Sequence, residues 1–193
     1  AGVLAPKSKA DLAFTMHMLS WLAVDGTAAI VEFPGVLYRG AAEAKIRQYL
    51  VEYNYVDAVI QLPPDLFFGT TIGTCIIVLK KSKQDNSVLF VDASKQFVRQ
   101  GNKNKLSAEN QEMILETLAK RADIDHVAAL VSAEAIRENG FNLSVSSYVE
   151  AEDTREEVDI VELNARIKEI VERQAVLRAS IDEIVADLEG GAR

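Results

Sequence analysis

A single cysteine, Cys75, among 193 residues rules out an internal disulfide, and its place inside an apolar run points to burial rather than catalysis. Proline and glycine are also scarce, at 4 and 10, so long disordered tracts are not expected. No apolar run reaches the ~20 residues that cross a bilayer, and nothing in the sequence resembles a signal peptide. A soluble, cytoplasmic protein is the expectation. Aspartate, histidine and cysteine never fall at metal-ligand spacing, and no Ser-His-Asp arrangement stands out, so neither a zinc site nor a triad is expected. The chain begins without methionine and runs quickly into helix, which suggests a piece of something longer.

What is present is an ordinary globular balance, 49% hydrophobic and 7% aromatic, long enough for one sizeable domain or a smaller one with an appendage. Its charge is uneven. Residues 1–105 carry 12 Lys/Arg against 9 Asp/Glu, whereas residues 106–193 carry 9 against 20. The net charge of −8 therefore divides into +3 and −11. A surface that meets DNA phosphates needs cations, so any such surface belongs in the first part. The acidic part suits a protein partner or plain solubility.

Ser8 is placed to cap a helix with Asp11 at its third position, and Leu12, Ala13, Met16, Leu19 and Ala23 recur on one face until Asp25-Gly26. His17 lies near that face and is expected to be a satisfied structural histidine. Residues 27–33 (TAAIVEF) form a short apolar run and predict a buried strand. After a loop over 34–40, a helix over 41–53 turns Ile46, Leu50 and Tyr53 inward and a Glu43–Arg47 pair outward. Residues 56–62 give the next strand. This alternation belongs to an α/β parallel sheet with helices on its faces. Strands over 73–80 and 87–92 follow without helices, and their short connections predict an antiparallel end. Residues 100–106 read as a polar, basic loop. Ser107 then caps a helix to about residue 121, with Ile114, Leu115 and Leu118 inward. A shorter helix covers 132–138, and 141–149 alternate loosely as an edge strand or extended arm. His126, in an acidic segment, has no partner that the sequence names.

Two stretches stand out. Residues 62–81 (LPPDLFFGTTIGTCIIVLKK) pass from a double-proline turn through two adjacent phenylalanines and Gly69 to a strand apolar on nearly every side chain, as a strand buried on both faces is. The two rings sit where a core would not obviously need them. In the tail, Ile160, Leu163, Ile167, Ile170, Gln174, Leu177, Ile181, Ile184 and Leu188 follow at alternating steps of three and four, a heptad seam widened by Val161, Val171 and Val185. Such a helix docks on a partner chain, pairs with its own copy or folds back on its own domain. Gln174 is placed to fix register at some cost in stability.

Several segments together resemble the modification (methylation) subunit of a type I restriction–modification system. They are Ser8-Lys9-Ala10-Asp11-Leu12-Ala13-Phe14; Gly35-Val36-Leu37-Tyr38-Arg39-Gly40 with Glu43 and Lys45-Ile46-Arg47; the 62–81 stretch; Val88-Leu89-Phe90-Val91-Asp92-Ala93; the 101–106 loop; and Phe141-Asn142-Leu143 through Tyr148. The similarity runs in order over about residues 7–150. It implies a DNA adenine N6-methyltransferase that uses S-adenosylmethionine. It also implies a specificity subunit, a restriction subunit and a second methylation subunit as partners. The implied fold is the C-terminal half of a class I (Rossmann-like) methyltransferase sheet with an antiparallel edge strand, followed by a helical extension. Residues 1–105 would be the later half of the catalytic domain, 106–155 a helical and extended connector, and 156–193 an assembly helix. Two of the family's motifs are missing. No Gly-rich cofactor turn is present, since Gly69-Thr70-Thr71-Ile72-Gly73 opens no helix. The catalytic Asn/Asp-Pro-Pro-aromatic tetrapeptide is absent too, because Leu62-Pro63-Pro64-Asp65 has neither the amide at its first position nor the ring at its fourth.

On this resemblance Phe67 matches the aromatic that stacks on an adenine turned out of the duplex, with Phe68 second and a core phenylalanine as the plain alternative. Tyr38 and Arg39 occupy a loop after a strand, where such folds place ligand contacts. Arg39 is a candidate for a DNA phosphate, for supporting the pocket or for plain solvation. Lys45, Arg47, Lys103 and Lys105 are further DNA candidates, each with solvation as its alternative. The helix residues Ile160, Leu163, Ile167, Ile170, Leu177, Ile181, Ile184 and Leu188 are the partner-binding candidates. The chain by itself is expected to be inactive. A non-enzymatic assembly module carrying the tail is the competing function.

Overall fold

A computed structural model describes residues 1–152 and 159–190. It divides into two compact units, Ala1–Glu152 and Asp153–Arg193. The first begins with α1 (Asp11–Trp21), β1 (Thr27–Glu32), a 3-10 turn (Pro34–Leu37), α2 (Ala41–Glu52) and β2 (Val56–Gln61). It continues through β3 (Cys75–Lys80), β4 (Ser87–Asp92), the short strands β5 (Val98–Gln100) and β6 (Lys103–Lys105), α3 (Ala108–Lys120), β7 (Ala128–Ser132) and α4 (Ala133–Glu138).

Five strands form one sheet in the order β1-β3-β2-β4-β7. β1 and β2 run the same way, joined through α2, and β3 is inserted antiparallel between them. The predicted antiparallel end therefore needs a correction in its pairing. β4 does not lie beside β3; it crosses to the far side of β2 and pairs with it in parallel. The antiparallel edge strand is β7, on β4. β2 is buried along nearly its whole length, as a central strand covered on both faces must be. β3 is not buried on both faces: Cys75, Ile77 and Leu79 are buried, while Ile76 and Val78 are half-buried.

Helices cover both faces of the sheet. On one, Leu12, Leu19, Ile46, Leu50 and Ile136 pack against Val59, Ile77 and Phe90. On the other, Ile114 of α3 meets Ala58, Ile60, Leu89 and Val91. Apolar burial on this scale is the main force holding the unit together.

Local expectations were met unevenly. Ser107 caps α3 in a reciprocal capping box with Asn110, and Ser132 caps α4. Ser8 does not cap α1, whose N-cap is Ala10 with no side-chain bond. Ala13, Ala23 and Tyr53 are exposed rather than inward, and Leu115 of α3 faces out while Thr117 is buried. His17 is exposed on α1, its ring 4.8 Å from that of Trp21. The expected loop at 100–106 is instead the end of β5 and all of β6, in a ribbon that begins at Val98. Residues 141–149 are neither strand nor free arm. Leu143 donates to the Leu37 carbonyl (2.8 Å), Leu143, Val145 and Val149 are buried around a 3-10 turn, and Tyr148 stacks on Phe90 at 4.3 Å. The supposed connector lies within the first unit as far as Glu152 and supplies β7 to the sheet; residues 153–158 are outside the described residues.

The described residues of the second unit form one helix, α5 (Ile160–Gly190), whose start is held by the Asp159 carboxylate accepting from the backbone N–H of Val161 (2.8 Å) and Glu162 (3.2 Å). At 1.5 Å per residue it is about 46 Å long. Every side chain over 160–188 is exposed. The expected ends of this helix, 156–158 and 191–193, fall outside the described residues. No described helix is long and apolar enough to cross a membrane.

Candidate functional site

The carboxyl ends of β1, β2 and β4 lie at one edge of the sheet, where open α/β sheets bind their ligands. There the 62–74 connection between β2 and β3 lies over a cleft of about 370 Å³ lined by Asp11, Val31, Glu32, Phe33, Phe67, Phe68, Gly69, Thr70 and Thr74. Phe67 is 39% exposed and Phe68 fully so. Gly69 takes a positive φ of 80°, which turns the chain after the pair. Phe33, half exposed at the end of β1, is a third ring on the lining. The 27–33 run predicts a buried strand through Phe33, but Pro34 directly after it ends β1 at Glu32 and leaves the ring free of the core.

The floor of the cleft is polar. Glu32 is only 7% exposed and accepts a hydrogen bond from the Thr15 hydroxyl at 2.8 Å. Burial raises its carboxyl above the ordinary value of 4.5, nearby Asp11 adds to this, and Thr15 and Arg39 oppose it. Cys75 lies beneath, its thiol 3.5 Å from the Glu32 carbonyl and pushed up to about 12 by burial, with the Glu32 charge adding to it. That leaves no reactive thiolate. The Thr74 hydroxyl is buried without a hydrogen-bond partner among the described residues.

Beside this floor the 34–40 loop is tied down by two arginines. Arg39 pairs with Glu43 at 3.0 Å and with Asp11 at 3.8 Å. Gly35 makes room for it, since a Cβ there would run into the Arg39 guanidinium. Arg47 donates to the carbonyls of Val36 (3.0 Å), Arg39 (2.6 Å) and Phe141 (3.0 Å). The expected outward Glu43–Arg47 pair is thus wrong on both counts. Each residue is 3% exposed, and the partner of Glu43 is Arg39. Burial lowers the Arg47 pKa, and Glu43 opposes that shift. Among the other DNA candidates, Tyr38, Lys45 and Lys105 are exposed.

Lys103 is engaged elsewhere. Its ammonium donates to the carbonyls of Phe67 (3.1 Å) and Thr70 (3.0 Å), and Asn104 of the same strand donates to those of Asp65 and Pro64. His126, left without a partner by the sequence, lies 3.0 Å through Nδ1 from the Glu150 carbonyl. No group of His, Cys, Asp and Glu that could hold a metal occurs among the described residues. The arrangement offers flat apolar faces over a polar floor at a strand-end edge, which suits the stacking of a planar ring. The 69–73 segment runs from the loop into β3 and opens no helix, so it is not a Gly-rich cofactor turn.

The N-6 DNA methylase family profile matches residues 1–157. The type I restriction enzyme MpnII methylase subunit of Mycoplasma pneumoniae is 48% identical over 189 residues, a span covering 97% of this chain and 35% of that protein. The type I restriction enzyme MjaVII methylase subunit of Methanocaldococcus jannaschii is 32% identical over 195 residues, covering 98% and 33%. Among solved structures, the type I restriction-modification system methyltransferase subunit from Streptococcus thermophilus superposes with a TM-score of 0.76 at 47% identity, over 77% of this chain and 32% of that one. The chain spans about a third of the length of the curated relatives it matches.

Proposed function

From the premise that this chain belongs to the N-6 DNA methylase family, we propose that it forms the C-terminal part of a type I methylation subunit acting on adenine in DNA. The complete subunit transfers a methyl group from S-adenosylmethionine to the N6 amino group of an adenine turned out of the duplex. Cofactor and catalytic tetrapeptide belong to polypeptide upstream of this chain, which contributes a wall for the extruded base and a helix for assembly. The observation that carries this reading is the exposure of Phe67 and Phe68 on the cleft, where burial gives neither ring a structural reason to be there. An extruded base offers its π face to such a ring. Phe67 is the stacking residue and Phe68 the second choice.

Tyr38, Arg39, Lys45 and Lys105 are the DNA contacts of this reading, all in the part of the chain that is net positive. Arg47 is left out, because its donors are spent on three carbonyls. The exposed seam of α5 docks on a specificity subunit. A restriction subunit and a second methylation subunit complete a cytoplasmic assembly.

The test places Phe67→Ala and Phe68→Ala separately in the full-length subunit assembled with its specificity subunit. Transfer of tritiated methyl groups to unmethylated genomic DNA is then measured. Stacking worth ~1–3 kcal/mol corresponds to a rate loss of about 5- to 150-fold with circular dichroism unchanged. Full rates in both variants would reduce this chain to a non-enzymatic assembly module.

A further inference from the structure

The tip that presents Phe67 and Phe68 has almost no internal fastening. Within 64–70 the chain forms no regular structure, and Gly69 and Asp65 both take positive φ. Leu66 packs toward the α3-side core and fixes the base of the loop. Among the described residues, one local bond, from the Ile72 backbone N–H to the Thr70 hydroxyl (3.1 Å), and otherwise only bonds from the β5–β6 ribbon tie 64–70 to the rest of the unit. The Asn104 backbone N–H donates to the Asp65 carbonyl at 3.0 Å, and its side-chain amide donates to the Pro64 carbonyl at 2.8 Å. Arg99 reaches the Asp65 carboxylate at 3.5 Å and the Asn104 side-chain oxygen at 3.0 Å. Lys103 spans the tip itself, donating to the carbonyls of Phe67 and Thr70 on either side of Phe68-Gly69.

We propose that the β5–β6 ribbon is the positioning element of the aromatic tip, with Lys103 as the residue that sets its pose. The chemistry fits the task. An ammonium carries three donors at the end of a long stem, so one group can close a ring across two carbonyls that no backbone N–H reaches. The ribbon has fastenings of its own. Its turn places Gly101 at a φ of 60°, as a tight hairpin requires, and Asn104 is 6% exposed with its amide and its oxygen both engaged. A ring that must meet a base face-on loses rate steeply with small misplacement. Lys103 acts through Phe67 and Phe68 and does not itself touch the base. This assignment differs from a phosphate contact, for which only the third donor of the ammonium remains. Its consequence for catalysis rests on the methyltransferase reading; its structural content does not.

The experiment has one arm for each. In the 193-residue chain, backbone order parameters of residues 66–70 are measured by NMR for the parent, Lys103→Met and Lys103→Arg. The proposal expects values to fall from the rigid range, about 0.8, to below about 0.6 in Lys103→Met, with β2 and β3 unchanged and Lys103→Arg close to the parent. Unchanged values in Lys103→Met overturn it. In the full-length subunit with its specificity subunit, Lys103→Met is expected to lower kcat about 10- to 100-fold at unchanged KM for S-adenosylmethionine, with Lys103→Arg restoring most of it. The slope of log binding constant against log salt on genomic DNA stays as in the parent. A slope reduced by about 0.9 would make Lys103 a phosphate contact and sink the positioning role. Adding Lys103→Met to the Phe67→Ala, Phe68→Ala double variant should cost nothing further. If those phenylalanine variants keep full rate, the base-stacking reading fails, and the order parameters still decide what the ribbon does.

Discussion

Arg47 shows how one residue changes meaning between a helical repeat and a packed helix. Its spacing from Glu43 is that of a solvated ion pair, but α2 packs on the side that carries both. The guanidinium then becomes the tie between the 34–40 loop and the segment at Phe141, 94 residues away. Arg47→Met keeps most of the bulk and strands three carbonyls, so urea unfolding should show a loss of about 3 kcal/mol. Lys45→Met, on the exposed side of the same helix, should stay within about 0.5 kcal/mol. Similar effects of the two would mean that the carbonyls find water instead. Glu32 gives a pH-dependent counterpart. Its folded pKa is raised by burial, so its contribution to stability is fully present below the ordinary carboxyl value of 4.5 and is lost as pH rises above it. Glu32→Gln keeps an acceptor for Thr15 and removes the charge. The difference in Tm between variant and parent should therefore shift in the variant's favour from pH 4 to pH 8. A flat difference would show that the carboxylate is well solvated after all.

At the level of elements, α5 carries the clearest expectation. Its apolar residues recur at heptad positions over four repeats and are exposed along the helix, a seam that we propose a partner helix covers. Light scattering of the chain mixed with a specificity subunit should give a stable complex, and Ile167→Asp with Ile181→Asp should abolish it while the helix signal persists. No complex with either form would remove the specificity subunit as the occupant of the seam. The helix was legible because a period sustained for 31 residues has few competing readings. So were α2, α3 and the three strongly apolar strands. The β5–β6 ribbon was not, because three-residue strands such as Lys103–Lys105 contain no apolar alternation to detect. Nor was the partner of β4, since a sequence shows that a strand reverses but not which neighbour it reverses past. The site divides the same way. Phe67 and Phe68 stood out as rings without a core to fill, whereas Phe33 was hidden in an apolar run and Lys103 looked like any basic loop residue.

For the whole molecule, the open side of the sheet is the surface to account for. β1 is an edge strand with no neighbour on its outer side among the described residues, and Thr27, Ala29 and Val31 along it are exposed. α1, packed nearby, leaves Phe14 and Trp21 uncovered, Trp21 at 81%. A bare strand edge beside exposed apolar side chains is a surface that proteins normally cover. The curated relatives are about three times as long as this chain, so their additional polypeptide is the expected cover. Purified alone, the 193-residue chain should bind S-adenosylmethionine negligibly and transfer no methyl groups. Adding the upstream polypeptide of the same subunit as a separate chain, with the specificity subunit, should restore transfer. Ala29→Lys, away from the cleft lining, places a charge where that cover must bury it, at a cost that an exposed position does not incur. It should therefore block restoration without lowering the Tm of the isolated chain. Restoration indifferent to Ala29→Lys would move the join away from β1, and methylation by the isolated chain would overturn the division of labour itself.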